Sequence, residues 1–519
     1  MKNVFLTILL SITMMRYVDA QKTDLVSLSE GKLVAFHALY DKDAKVYGYY
    51  SMYDKGIVSK NTSEFEFFVL DKNLRQVLSN VVQGPVYVKY YYGGIDENNN
   101  LFLYPVVSDD DKKNYKKLAI PSVYKVNMKE NKIIEWHGLC FENSQIVTCP
   151  PQGSYKDEEE KDKKEKKQNG YVKKSNVYEG YFTGHLVIEY DDYGKYTKNF
   201  TFRKFDESKN ENWTYTLEDA ASKKNYYFMR IVALDSNTIY GFKTFLKYES
   251  YQTSYFMAWD MRTGKLLKNE LITQVPAESI VSMLFLFAEG LGNKIDSQKS
   301  FDDKVVATGK IYKENYYNSP VYGYFRCIID KKSHELKFNY LKFESDFKPY
   351  FPKITPEGQL EKGFKLSIRD VFFLNDGSLI YIFEKYKYDA GFFQGYSAKN
   401  DDLVFVITDS NFHIKDVKVL DKEKSTYSAS DYLFGQYLND GKDFVFFYED
   451  LKKETENEEE KVVLFINTWI NGTLNEEQFP ISTKKNIIYP YIAKEGYILL
   501  REYNEKSKYN QIRLEKLNF

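Results

Sequence analysis

The stretch LVFVITDSNFHIKDVKVL, residues 403–420, shows how most of this chain is built. An apolar run ends at Thr408, Asp409 and Asn411 follow, and a second run then alternates charged with apolar residues. Val, Ile and Phe favour strands, whereas Asp and Asn close Asx turns and tolerate a left-handed backbone. The stretch therefore predicts a β-hairpin.

Two sequence patterns of this kind recur along the chain. The hairpin pattern occurs six more times, beginning at Phe65, Tyr124, Leu186, Tyr255, Tyr324 and Val462. A turn followed by a compact apolar strand recurs around Gly31, Asn99, Asn237, Gly309, Gly377, Gly441 and Gly496. Its copies lie about 55 to 72 residues apart, except that Asn99 and Asn237 are separated by about twice that distance. A missing copy is therefore expected near residue 168.

The repeat predicts an all-β fold, and specifically a β-propeller. Its period exceeds the roughly 40 to 50 residues of common blades but suits blades with long connections. Seven blades are favoured and six to eight are allowed, with pairing of the N- and C-terminal strands closing the ring and removing exposed edges. Two smaller β-domains meeting near Tyr155 to Gly170 are the alternative. Helical periodicity is best at Ser279 to Leu291.

Composition excludes several classes of protein. The chain has 519 residues, of which 47 are Tyr, 38 Phe and 4 Trp, while Gly and Pro are scarce, so collagen-like and disordered classes do not fit. A formal net charge of -1 provides no basic face for a phosphate backbone, so nucleic acid is not an expected partner. The three cysteines are too few to stabilise a chain of this size; Cys140 and Cys149 either bridge a loop or are free thiols.

The N-terminus is typical of a secretory signal peptide. Lys2 precedes an apolar stretch from Val4 to Met15, and small residues end at Ala20. We predict signal residues 1–20 and a single propeller domain over 21–519. The protein is expected to be exported to the periplasm or the extracellular space and to be a monomer. No later stretch reaches the 18 or so apolar residues of a spanning helix, so no membrane span is predicted.

Two charged runs interrupt the strands. KDEEEKDKKEKK begins at Lys156 within the segment 156–168, and LKKETENEEEK covers 451–461. Mixed charges with few apolar residues cannot offset the entropy of ordering, so both predict mobile loops. A calcium or partner site in either is the weaker interpretation.

Searches for catalytic and metal motifs give no candidate. The G-x-S-x-G, H-E-x-x-H and phosphate-loop motifs are absent from the sequence. Asp96, Asn98 and Asn100 are spaced like calcium ligands, but Leu101 stands where an EF-hand needs glycine. The five histidines are dozens of residues apart, so we predict no catalytic residue, no metal site and no cofactor.

One aromatic cluster is the predicted binding site. It consists of Tyr386, Tyr388, Phe392, Phe393 and Tyr396, and it follows the strong strand Leu379 to Glu384. Such rings can stack on sugars or anchor a protein partner. The alternative is that they fill a half-buried sheet, as aromatic residues commonly do.

The Ala20-Gln21 junction, the D-x-x-G/N-K hairpins and the C-terminal YNQIRLEKLNF resemble the uncharacterised exported β-propeller-like proteins of Gram-negative bacteria. The resemblance implies a fold and a compartment but no functional residue. Two functions are therefore considered. The first is a non-enzymatic binding or scaffold protein that presents a propeller face to a protein or glycan ligand. The alternative is a glycan-active hydrolase or lyase with carboxylates on its loops.

Overall fold

A computed structural model describes most of the chain between residues 22 and 518. The described residues are 22–41, 45–95, 99–107, 123–136, 139–142, 145–148, 171–178, 185–192, 197–206, 210–217, 225–247, 250–273, 280–282, 298–312, 320–391, 395–423, 432–452, 461–481, 486–504 and 509–518. They form antiparallel sheets with few helical turns, which confirms the all-β prediction.

The first two sheets are four-stranded meanders in chain order. They follow β1 (Lys22–Asp24) and a 3₁₀ turn at Val26–Leu28. Sheet 1 contains β2 (Lys32–Tyr40), β3 (Val46–Ser59), β4 (Thr62–Asp71) and β5 (Gln76–Pro85). Sheet 2 contains β6 (Val88–Ile95), β7 (Leu101–Val107), β8 (Val123–Asn127) and β9 (Lys132–Trp136), and a separate hairpin pairs β10 (Leu139–Glu142) with β11 (Gln145–Thr148).

Sheets 3 and 4 repeat the meander. Sheet 3 contains β12 (Val172–Tyr178), β13 (His185–Asp192), β14 (Thr197–Phe205) and β15 (Glu211–Thr216). Sheet 4 contains β16 (Asn225–Leu234), β17 (Thr238–Lys247), β18 (Ser250–Asp260) and β19 (Leu266–Leu271). Sheet 3 occupies the long gap in the sequence repeat, where a missing copy was expected.

Sheet 5 differs because its first strand is in two pieces. β20 (Ile280–Ser282) and β21 (Gln298–Ser300) both pair with β22 (Lys304–Tyr312), which is followed by β23 (Val321–Asp330) and β24 (Leu336–Lys342). The predicted helix from Ser279 is therefore wrong at its start, since Ile280–Ser282 is a strand. Tertiary pairing with β22 outweighs the local helical pattern there, and residues 283–291 lie outside the described part.

Sheets 6, 7 and 8 complete the series. Sheet 6 contains β25 (Lys365–Phe373), β26 (Leu379–Gly391), β27 (Gly395–Thr408) and β28 (Ile414–Leu420). Sheet 7 contains β29 (Tyr432–Leu438), β30 (Asp443–Lys452), β31 (Lys461–Ile470) and β32 (Thr473–Pro480). Sheet 8 contains β33 (Ile487–Ile492), β34 (Tyr497–Asn504), β35 (Tyr509–Lys516) and, at its outer edge, β1. Short helical turns occupy Phe343–Phe347, Glu361–Gly363 and Asn439–Gly441.

Consecutive four-stranded antiparallel meanders are the blades of a β-propeller, so this part of the prediction is confirmed. The described residues hold eight such sheets, within the range of six to eight but one more than the number favoured. The difference arises at the termini. Lys22–Asp24 pair with Gln511–Arg513, so the terminal strands build a sheet of their own and do not merely complete the seventh.

The sheets fall into two compact units. Unit 1 holds sheets 1, 2 and 8, and unit 2 holds sheets 3 to 7. Within unit 1, one apolar layer lies between sheets 8 and 1 and another between sheets 1 and 2. Within unit 2, four layers join sheets 3 to 4, 4 to 5, 5 to 6 and 6 to 7. Sheets with an apolar layer on both faces explain the continuous apolar strands of the sequence.

The predicted hairpins are present, and in five sheets an Asp or Asn side chain caps the turn between the third and fourth strands. In sheet 1, Asp71 Oδ1 accepts hydrogen bonds from the backbone N–H groups of Asn73 and Arg75, at 2.8 and 2.9 Å, and Leu74 is left-handed with φ 62°. Asn127, Asp260, Asp330 and Asp409 cap the corresponding turns of sheets 2, 4, 5 and 6. The turn residues therefore terminate the third strand and start the fourth at a fixed position.

Helices that could span a membrane are absent from the described part of the chain. Of the charged run 451–461, Leu451 and Lys452 belong to β30 and Lys461 begins β31. The rest of that run, and all of 156–168, lie outside the described residues.

Candidate functional site

The predicted aromatic cluster lies on a long hairpin of sheet 6. β25 begins opposite Tyr386, and beyond that level β26 and β27 continue as a two-stranded ribbon in which Tyr388 pairs with Ala398 and Ala390 with Tyr396. Tyr386 is half-buried. The side chains of Tyr388 and Tyr396 and the residues Phe392 and Phe393 lie outside what the structure describes, so the cluster remains a prediction.

A buried ionic cluster, missed by the sequence analysis, lies at the base of this hairpin. Glu384 has no exposed side-chain surface and is paired with Arg369 and, at 3.2 Å between Oε1 and Nζ, with Lys422. Arg369 also donates to Asn400 Oδ1 at 3.4 Å. The four residues come from β25, β26, β27 and the segment after β28. The signal in the sequence was a single carboxylate ending the apolar strand LIYIFE.

This ionic cluster has the character of a structural support. Glu384 and Lys422 have no exposed side-chain surface and Arg369 is 6% exposed, so a solute has no direct access to the charges. A buried charge that lost its partner would be strongly unfavourable. The cluster therefore links β25, β26, β27 and the segment that follows β28 at the level where the ribbon leaves the sheet.

Unit 1 presents a more accessible group of polar and aromatic side chains. Tyr489 of β33 pairs in register with Arg501 of β34, and Tyr503 follows on the same face. The rings of Tyr489 and Tyr503 are stacked, with centroids 5.5 Å apart and planes 13° apart. A hydrogen bond between their hydroxyls raises the pKa of Tyr489, and burial adds to the effect. Tyr489 nevertheless remains 44% exposed.

Arg501 is held beside this tyrosine pair. Its Nε donates to Asn510 Oδ1 at 2.9 Å and its Nη1 donates to the Tyr491 hydroxyl at 3.4 Å. The guanidinium also lies 5.6 Å from the ring centroid of Tyr503. We call Tyr489, Tyr491, Arg501, Tyr503 and Asn510 the aromatic–arginine surface. Both hydrogen-bond partners of Arg501 are neutral oxygens, so neither cancels its positive charge.

Sequence reasoning overlooked this surface because its residues are spread over three strands. Alternation in IIYPYI and LLREYN does place Tyr489 with Tyr491, and Arg501 with Tyr503, on common faces. Only the pairing of β33 with β34, and of β34 with β35, brings the three sets together.

His37 is the second notable group of unit 1. It lies on β2, where Nε2–H donates to the Gly93 carbonyl at 2.9 Å and the ring stacks on Tyr92 with centroids 4.0 Å apart. Burial lowers the pKa of His37, and the hydrogen bond to Gly93 opposes this only in part. Burial favours the neutral imidazole. Because Nε2 carries the proton that is donated to Gly93, the lone pair of the neutral ring is on Nδ1.

The other histidines and the acidic groups provide no candidate site. His334 and His413 lie in the hairpin turns of sheets 5 and 6, where His334 is half-buried and the side chain of His413 is 77% exposed. Groups of three or more metal-ligating side chains are absent from the residues that the structure describes. The calcium-like pair Asp96 and Asn98 lies outside them.

Comparison with known proteins adds little beyond the fold. No protein family and no curated protein matches the chain. Among solved structures, it is similar to a europium-containing methanol dehydrogenase, at 9% identity and a TM-score of 0.35 over 93% of this chain and 86% of that one. It is also similar to an ulvan lyase of polysaccharide lyase family PL25 bound to -[GlcA(1-4)Rha3S]-, at 9% identity and a TM-score of 0.34 over 82% and 91% of the two chains.

A third similar structure is the β-propeller domain of the Trilobed protease from Pyrococcus furiosus, at 9% identity and a TM-score of 0.31 over 86% of this chain and 98% of that one. Values this low assign no family and no activity to the chain. The resemblance to exported Gram-negative proteins gains no support beyond the generic propeller fold.

Proposed function

We propose that the protein is an exported β-propeller that binds an acidic glycan at the aromatic–arginine surface of unit 1. The observation that carries the proposal is the exposed ring of Tyr489, which stacks on the half-buried Tyr503 and lies next to a positioned arginine. Ring closure and export, which the sequence predicts, belong to the same proposal.

The tyrosine pair supplies a flat, rigid apolar platform. Stacking restricts the rotation of both rings, so little conformational entropy is lost when a ligand covers them. The C–H faces of a pyranose ring are apolar, whereas its hydroxyl groups project from the edge and form hydrogen bonds. An exposed aromatic ring surrounded by polar groups can therefore stack on the sugar face and bind the hydroxyl groups at its edge.

Arg501 selects the charge of the ligand. A guanidinium presents planar donors that fit carboxylate and sulfate groups, and it stays charged throughout the ordinary pH range. Because Asn510 and Tyr491 hold it without neutralising it, an acidic sugar unit would gain more here than a neutral one.

The first test measures binding of the mature chain to uronate- or sulfate-bearing polysaccharides and to neutral ones by isothermal titration calorimetry. Tyr489→Ala is expected to weaken binding at least about tenfold, equivalent to about 1.4 kcal/mol. Arg501→Gln is expected to remove the preference for acidic over neutral chains.

The matched control for this test is Tyr350→Ala. Tyr350 is a similarly exposed tyrosine, at 38%, but it lies in unit 2 and donates to the Ile414 carbonyl. Its replacement should leave binding unchanged. Binding that is equally strong in Tyr489→Ala, or no binding to any acidic glycan, would contradict the proposal. The Tyr386 to Tyr396 cluster remains a second proposed contact and is tested by Tyr386→Ala in the same titration.

A second candidate function is cleavage of the bound glycan, with His37 as general base. The specific observation is an imidazole that donates to the Gly93 carbonyl, stacks on Tyr92 in the same unit and has its pKa lowered by burial. Proton removal by Nδ1 could start either a hydrolysis, by activating water, or an elimination, by removing a proton from the sugar ring.

The pH dependence provides the test of this second function. A base acts in its unprotonated form, and the lowered pKa of His37 keeps that form populated below the usual pKa of about 6.5. The cleavage rate, followed by release of new chain ends, is therefore expected to stay level as pH falls through 6.5 and to decline only at lower pH. His37→Gln should abolish cleavage and retain binding. Cleavage that survives this substitution would exclude His37 as the base.

A further inference from the structure

Two stacked ring pairs of similar form lie on the two sides of β2 in unit 1. On one side, the exposed Tyr489 stacks on the half-buried Tyr503 of the aromatic–arginine surface, with centroids 5.5 Å apart. On the other side, Tyr92 of β6 is 42% exposed and stacks on the half-buried His37, with centroids 4.0 Å apart and planes 5° apart. Each pair therefore presents one exposed tyrosine that is backed by a second ring.

Local packing fixes the second pair in place. His37 donates to the carbonyl of Gly93, the residue that follows Tyr92, at 2.9 Å. Gly93 lies against the ring of Tyr50, where an added Cβ would be only 2.9 Å from a ring carbon, so glycine permits this close approach of β6 to sheet 1. The ring of His37 also lies 5.1 Å from that of Tyr50. Tyr92 is thus supported by a ring that is itself held in position, so little conformational entropy is lost when a ligand covers it.

Phe36 and His37 connect the two pairs. They are consecutive residues of β2, so their side chains point to opposite faces of sheet 1. Phe36 packs edge-on against Tyr491, with centroids 5.3 Å apart, and its ring centroid lies 5.8 Å from the guanidinium of Arg501. A series of contacts therefore runs from the aromatic–arginine surface to β2 and, through His37, on to Tyr92.

The backbone of β2 lies between the two pairs. β2 is the first strand of sheet 1 and pairs with β3 on one side only. Its register with β3 is regular from Ala35 to Leu39, so alternate N–H and C=O groups of this segment point away from the sheet. Residues 33–37 all retain some exposed surface. This edge of β2 can therefore offer both donors and acceptors to the hydroxyl groups of a sugar chain.

We propose that the glycan bound at the aromatic–arginine surface extends across β2 and stacks a further sugar unit on Tyr92. The inference rests on the proposed function and adds that the ligand is an oligosaccharide or polysaccharide chain, not a single acidic sugar. Arg501 binds the carboxylate or sulfate of one unit, and Tyr92 contacts the apolar face of another. Sheets packed face to face lie about 10 Å apart, so a single sugar ring cannot cover both pairs.

Isothermal titration calorimetry with oligosaccharides of increasing length tests the proposal. One series consists of galacturonate and the other of sulfated galactose, so that both carboxylate and sulfate are covered. The affinity of the wild type is expected to rise at least about tenfold once a chain reaches both pairs, because the second contact then becomes intramolecular. Tyr92→Leu keeps an apolar side chain but removes the flat ring, and it should abolish this gain. Tyr489→Leu should instead weaken binding of chains of every length.

Two further variants serve as controls. Tyr92→Phe keeps the ring and should retain most of the gain with chain length. The matched control is Tyr350→Leu, which removes a similarly exposed ring, 38%, from unit 2 and should show the full gain. Equal thermal midpoints of the wild type and the variants establish that all of them are folded.

The outcomes distinguish this inference from the proposed function. Binding that does not strengthen with chain length, or a gain that survives in Tyr92→Leu, would overturn the second contact and leave the proposed function intact. A gain that is lost equally in Tyr350→Leu would also overturn it, because the effect would not be specific to Tyr92. Absence of binding to both series at every length would overturn the proposed function and this inference together.

Discussion

Glu384 shows at the scale of single residues how a charge can be accommodated inside an apolar blade. Arg369 and Lys422 reach it from different strands, and Asn400 binds the same guanidinium. Each charge alone would be costly to bury, but the carboxylate of Glu384 lies within ion-pair distance of both cations and so offsets part of that cost. The sequence reveals an isolated carboxylate at the end of a strand, whereas its partners are identified only by the pairing of β25, β26 and β27.

Glu384→Gln is predicted to destabilise the protein by about 3 to 5 kcal/mol, because it leaves two buried cations without a counter-charge. The measurement is the free energy of unfolding from a denaturant titration. Glu361→Gln is the matched control: its carboxylate is 60% exposed and pairs with Lys353 at 3.0 Å on the surface. Its effect should stay within about 0.5 kcal/mol. Similar effects of the two substitutions would contradict the supporting role of the buried cluster.

At the scale of elements, the turns are the best-determined part of the fold. The hairpin of sheet 7 closes through two residues, Asn471 and Gly472, with φ of 50° and 81°. Positive φ at both positions gives the tight turn whose twist matches the flanking strands, and Asn-Gly is its preferred sequence. The sequence alone predicted this hairpin because the requirement is local.

Gly472→Ala is predicted to cost about 1 to 2 kcal/mol, since an L-residue is disfavoured in the left-handed region. No atom lies within 4 Å of the added methyl position, so the cost is conformational and not steric. Thermal unfolding of the variant checks the prediction. Asn471→Gly retains the turn geometry and should change the midpoint much less. An alanine variant as stable as the wild type would show that the turn relaxes to another type.

Other elements were not predictable from local sequence. The first strand of sheet 5 is divided into β20 and β21, although its sequence around Ser279 has helical periodicity. Pairing with β22 determines this outcome, and such pairing is a tertiary property. For the same reason, the alternation of β33 and β34 indicated which side chains share a face but not that Arg501 would be fixed between Asn510 and Tyr491.

At the scale of the whole molecule, the first and last described strands meet in sheet 8. Besides the pairing of β1 with β35, Leu25 is fully buried, its N–H donates to the Asn510 carbonyl at 2.9 Å and its carbonyl accepts from the Tyr53 hydroxyl at 2.7 Å. The N-terminal segment thereby connects sheet 8 with sheet 1. Unit 1 is thus assembled from residues at both ends of the sequence.

A chain that begins at Val26 is predicted to lose this connection. Burial of a leucine of this kind contributes about 2 to 5 kcal/mol, and β35 would become an unprotected edge. We expect a lower thermal midpoint and faster hydrogen exchange of the amides in β35. Lys22→Ala, which changes an exposed residue and keeps the strand, should leave both unchanged. Unaltered exchange in the shortened chain would mean that β1 contributes nothing to sheet 8.

The sequence by itself determined the all-β class, the repeated blades and the positions of most hairpin turns, because strand propensity, alternation and Asx capping act over a few residues. The tertiary structure decided what depends on distant segments. It paired the terminal strands with each other, so that the described residues form eight sheets of four or five strands beside the β10–β11 hairpin. It also assembled the buried Glu384 cluster and the aromatic–arginine surface, whose members lie on separate strands and meet only through sheet pairing.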